Sequence, residues 1–171
     1  MKSWILGLAA VISGLGCQEN QDKEILLSEY TGNEASYPLN QASVYHINGS
    51  VTFKEKLDGS THVVVALFGT EGNAEHPVHL HLGNVTEPDA DILAQLNPVI
   101  GKSGKGETEL SQLRDETTIN YREILALNAC IKVHLAASGA EKDIILAAGN
   151  IGVAHVDIIT GRSGIAACKS E

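Results

Sequence analysis

From residue 43 onward the chain alternates short apolar runs with turn residues. The runs are rich in Val, Ile, Thr and Tyr, side chains that fit a pleated, half-buried surface. Residues 44–56 predict one strand or a bent pair through Asn48-Gly49. Asp58-Gly59 predicts a hairpin turn and residues 62–68 the strand after it. A further strand is expected over 77–82. Beyond it, residues 83–106 read as a long loop, because Pro88, Asp89, Asn97, Pro98 and several glycines break any period, with a weak helix at 89–96. β character resumes at 107–110, 118–127, 130–135 and 143–153, with a last segment at 154–159. About eight antiparallel strands with hairpin spacing predict an all-β fold, a Greek-key sandwich or barrel.

The chain before residue 42 has a different pattern. Met1-Lys2-Ser3 and the apolar run from Trp4 to Leu15 have the layout of a secretory signal, too short to span a bilayer. The run ends in Ser13-Gly14-Leu15-Gly16-Cys17, which resembles the lipobox of bacterial lipoproteins, with Gly14 standing where that pattern has a large aliphatic residue. The resemblance implies a signal peptide over 1–16, lipidation of Cys17 and an exported protein held at a membrane of the cell envelope. Residues 18–41 are polar and aperiodic, and predict a tether that leads to one β domain over 42–171.

Composition narrows the function. A formal net charge of −9 argues against a nucleic-acid partner. Three cysteines in an oxidising compartment leave an odd one; lipidation of Cys17 leaves Cys130 and Cys168 to form a disulfide, unless Cys130 is instead a buried thiol. No nucleophile elbow, phosphate loop or zinc-protease helix motif is present. Asp89 and Asp91 read as solvated loop carboxylates. Nothing in the sequence fixes the oligomeric state.

Histidine carries the candidate chemistry. On a strand over 76–82, alternation places Val78, Leu80 and Leu82 on the core face and His79 and His81 on the other. His134 repeats the arrangement, since Ile131, Val133 and Leu135 alternate with Lys132 and His134. Three imidazoles on rigid strands suit copper or zinc. His46, His62 and His155 each sit singly and read as satisfied surface histidines, and His76 is expected to hydrogen-bond a neighbouring segment.

At these residues the chain resembles the copper/zinc superoxide dismutase family. The similarity runs through Gly49-Ser50-Val51-Thr52-Phe53, Asp58-Gly59, Phe68-Gly69-Thr70-Glu71-Gly72, His76-x-x-His79-x-His81, Ile131-Lys132-Val133-His134 and Ala148-Gly149-Asn150-Ile151-Gly152. It implies a copper cofactor on His79, His81 and His134, and superoxide as a small anionic substrate. The departures are specific. Gln95 precedes Leu96-Asn97-Pro98 where the family has its copper-zinc bridging histidine, and no histidine lies between His81 and His134, so zinc is not expected. The family's guiding arginine falls at about Ile145, its disulfide cysteine at Ala148, and the loop after His134 is short. Lys132, Lys102, Lys105 and Arg162 are the candidates for steering an anion. The same pattern also resembles chordin-type domains, which implies a binding or structural role, and copper binding without turnover is a third expectation.

Overall fold

The computed structural model describes residues 29–87, 90–156 and 167–168. The signal segment, Cys17, the first part of the tether (18–28), Asp89 and Arg162 lie outside the described residues. The fold is a closed barrel of eight antiparallel strands with one short helix. The strands are β1 (Tyr30–Gln41), β2 (Asn48–Lys56), β3 (Thr61–Phe68), β4 (Glu75–Leu82), β5 (Ile92–Ile100), β6 (Lys105–Leu110), β7 (Asn128–His134) and β8 (Ile145–Gly152), with the helix α1 (Tyr121–Ala126) between β6 and β7. Around the wall they run β2-β3-β6-β5-β4-β7-β8-β1, and β1 returns to β2. A two-residue strand β9 (Ala167–Cys168) pairs with β1 at Glu34 and Ala35.

Alternation along the strands fills the interior. Val51 and Phe53, Val63 and Val65, Val78 and Leu80, Ile131 and Val133, and Ala147 and Ile151 all point inward and are essentially inaccessible to solvent. α1 begins with a reciprocal capping box, Asn120 accepting from the Glu123 amide and Glu123 accepting from the Asn120 amide. It buries Tyr121, Ile124 and Leu125 against the end of the barrel where β2 and β8 meet it.

Four expectations from sequence are corrected. Residues 30–41, read as tether, form β1: Ala35, Tyr37 and Leu39 alternate into the core, and a polar outer face hides the pattern. The long loop, with its weak helix at 89–96, ends at Asp91, and β5 and β6 follow. Pro98 is tolerated because β5 is bulged twice against β4 and meets β6 in a ladder only at Ile100–Lys105. Asn97 bridges the gap instead, its amide donating to Thr108 Oγ1 and its side chain to the Glu107 carbonyl. Residues 118–127, read as a strand, hold α1. Leu82, placed on the core face, is 46% exposed at the end of its strand.

Of the two readings of Cys130, the structure has the buried one. It is a free thiol with no accessible surface, opposite His81 in the ladder, and burial pushes its pKa up.

Candidate metal centre

The three histidines predicted from sequence come together on the outer face of the wall, across the β4–β7 seam. Side chains directly opposite one another in a ladder share a face. His79 faces Lys132 and His81 faces Cys130, so His79, His81, Cys130, Lys132 and His134 occupy one outward side. Bulges re-aim this stretch. Register shifts fall between His76 and Val78, between Leu80 and His81, and between Val133 and His134, beside each of the three imidazoles. The rings stand 4.7 Å (His79–His134), 5.7 Å (His79–His81) and 6.3 Å (His81–His134) apart between centroids.

Backbone carbonyls fix which nitrogens are free. His81 Nδ1 lies 2.8 Å from the Ala90 carbonyl and His134 Nδ1 2.8 Å from the Lys142 carbonyl. A carbonyl only accepts, so each Nδ1 carries the hydrogen and each Nε2 presents a lone pair. His81 Nε2, His134 Nε2 and His79 Nδ1 are all buried without a hydrogen-bond partner. Their donor atoms lie within 4.8 Å of one another, and among the described residues no other such group of His, Cys, Asp and Glu occurs. Buried, unsatisfied polar atoms are rare unless something absent completes them. Three converging lone pairs fit a metal ion.

The electrostatics favour neutral, ligand-ready rings. Burial, helped by repulsion from the other two imidazoles and Arg114, lowers the His79 pKa from 6.5 to about 4. Burial also lowers that of His81, with Lys132 and His134 adding to it against the Ala90 hydrogen bond. The metal-free protein should therefore lose stability as pH falls. Above 6.5 His79 is neutral whether folded or unfolded; between about 6.5 and 4 the unfolded chain takes up the proton and the folded one does not. The stability lost across that window is roughly 2 kcal/mol after allowance for the ring's partial exposure. Urea melts at pH 7 and pH 4 would measure it, and His79→Gln should flatten the difference.

Two cavities flank the rings. One, of about 490 Å³, is lined by His79, His81 and His134 with Gln95, Glu75 and Lys142. Gln95 faces His79 in the β4–β5 ladder, so the residue at the expected bridging position does stand beside the site. The other, of about 840 Å³, is lined by His81 and His134 with Lys132, Thr86, Asn150 and Gln41. Lys132 is only 6% exposed and donates to the Glu87 carbonyl at 2.6 Å, so its ammonium is enclosed rather than presented at a mouth. Arg114, which sequence reasoning missed, is an exposed cation acting on His79; its amide donates to Leu93 in β5, two residues from Gln95.

The remaining histidines have other partners, although His155 also lines the larger cavity. His76 bonds the Leu135 carbonyl at 3.1 Å, as expected of it. His62 pairs with Glu109, His46 with Gln41, and His155 rests edge-on against Tyr37.

Comparison of the chain with protein-family models, with curated proteins and with solved structures gives no match. The molecule is thus described by its own geometry: an eight-stranded antiparallel β-barrel whose outer wall carries a three-histidine cluster able to hold a metal ion.

Proposed function

We propose that His79, His81 and His134 hold copper and that the protein is an exported, lipid-anchored, superoxide dismutase-like oxidoreductase. The observation that carries this reading is the convergence of three unpartnered, buried imidazole nitrogens, two of them oriented by backbone carbonyls. Nitrogen-only sites on a rigid wall favour copper over the other first-row divalent ions, and three ligands leave room for an exogenous one. Copper there would supply one-electron redox chemistry: one superoxide gives up an electron to become dioxygen, and a second takes that electron with two protons to become hydrogen peroxide.

The chain's own residues divide the remaining work. The three imidazoles bind and orient the metal. The 490 Å³ cavity admits a small anion and water. Arg114 and Lys142 offset the negative charge of Glu75 and Asp143 around the approach. Gln95 has no titratable proton, so the protons come from water in the cavity.

Metal content after dialysis, together with superoxide consumption by the copper-loaded chain, tests the proposal. One copper per chain and catalytic loss of superoxide are expected. Retained copper without turnover would reduce the function to copper binding. No retained copper would sink the metal reading and favour a binding or structural barrel.

A further inference from the structure

Lys132 is a buried cation on a face shared with three metal-ligand candidates, and a residue so placed needs a reason. Taking an ammonium out of water is costly unless it is paired and hydrogen-bonded. Here its one hydrogen bond goes to the Glu87 carbonyl, and no carboxylate among the described residues forms an ion pair with it. The residue stands opposite His79 in the ladder, two positions from His134 on its own strand, and lines the larger cavity together with His81 and His134. Its charge is felt at the His81 ring.

We propose that Lys132 is a positioning residue that sets the oxidation-state preference of the metal site, its enclosed ammonium favouring Cu(I) over Cu(II). The inference rests on the copper reading above. A fixed positive charge close to the ion repels the doubly charged state more than the singly charged one, and burial weakens the screening that water would give. Reduction of the ion by one electron removes one unit of charge beside Lys132, so the lysine raises the midpoint potential. A metal that cycles through both states needs neither to be trapped, and among the described residues the ligand group is three imidazoles with no anionic member, Asp143 being the carboxylate that lines the same cavity as the lysine.

Lys132 also ties down the segment between β4 and β5. That segment is pinned at three points: the Val85 amide donates to Asn150 Oδ1, Lys132 donates to Glu87, and His81 donates to Ala90. An anchoring role alone and an electrostatic role make different predictions. Lys132→Gln keeps a donor for the Glu87 carbonyl and removes the charge, whereas Lys132→Met removes both.

The test is the affinity of the full chain for Cu(I) and for Cu(II), each by competition with a chelator of known affinity, with the midpoint potential measured alongside. Both variants are expected to shift the ratio roughly tenfold toward Cu(II), equivalent to a midpoint about 59 mV lower for this one-electron couple. Circular dichroism confirms folding, and if Lys132→Met does not fold, Lys132→Gln carries the test. Copper bound by a folded variant with the wild-type ratio would overturn the inference and leave the copper reading intact. Equal weakening of both ions would assign Lys132 to anchoring alone and overturn it as well. A wild-type chain that binds neither ion would overturn both readings.

Discussion

Replacing His134 by alanine should lower copper affinity more than a hundredfold and leave the melting temperature of the metal-free protein within about 4 °C of wild type. The two halves of that expectation have separate origins. His134 Nε2 is one of three lone pairs at the cluster, and its loss leaves two nitrogens from a single strand, His79 and His81. Outer-shell partners alone are worth ten- to a hundredfold at many metal sites, so a ligand is worth more. Stability barely changes, because the ring stands on the outer face and its one hydrogen bond goes to the Lys142 carbonyl in a neighbouring loop. His62→Ala is the control: it removes a histidine paired to Glu109 on another part of the wall and should leave copper affinity untouched. Equal affinity in the His134 and His62 variants would mean that metal binds elsewhere.

Gly149→Ala should act in the opposite sense, with a loss of about 3 kcal/mol in stability. A Cβ at residue 149 would lie 2.0 Å from the Pro38 carbonyl oxygen and 3.1 Å from Leu39 Cδ2. Both belong to β1, at the seam where β8 closes the barrel, and the nearer atom is backbone that cannot swing aside. The ladder there consists of Asn40–Ala148 and Gln41–Ala147, so closure depends on close approach more than on a long run of paired amides. A shift in the urea midpoint with an unchanged slope would report the loss. An unchanged midpoint would mean that β1 is less tightly seated on β8. Residual copper binding by this variant should follow the folded fraction.

The same glycine shows how far the sequence can be read. The run Ala148-Gly149-Asn150-Ile151-Gly152 was recognisable as a final strand, and the geometry supplies its reason in the need for β1 to pass close by. The histidine pair was legible because period-two alternation with Val78 and Leu80 leaves His79 and His81 no other side of the sheet. His134 was legible for the same reason. What could not be read was the enclosure of that side: Lys132 looks like a surface lysine until the segment after β4 folds over it.

The misplaced elements have equally local causes. β5 carries Asn97 and Pro98 inside a bulged strand, and turn residues mask a strand wherever a ladder is interrupted. β1 buries only every second residue of a polar stretch, so Ala35, Tyr37 and Leu39 were outweighed by their neighbours. At the start of α1, Ile119 and Tyr121 mimic strand alternation, although Asn120 and Glu123 spell out a helix start. The hydrogen bonds from His81 Nδ1 to Ala90 and from His134 Nδ1 to Lys142, which leave each Nε2 free, were beyond reach, since a backbone carbonyl leaves no trace in the sequence.

The barrel keeps its aliphatic interior and its imidazoles on opposite sides of a single sheet. Selection can therefore edit the two independently: a point mutation at a histidine removes a candidate ligand and spares the fold. The scaffold outlives any particular function written on its wall. Descendants of such a chain could exchange metal, lose it, or turn the vacated surface to ligand binding without passing through an unfolded ancestor.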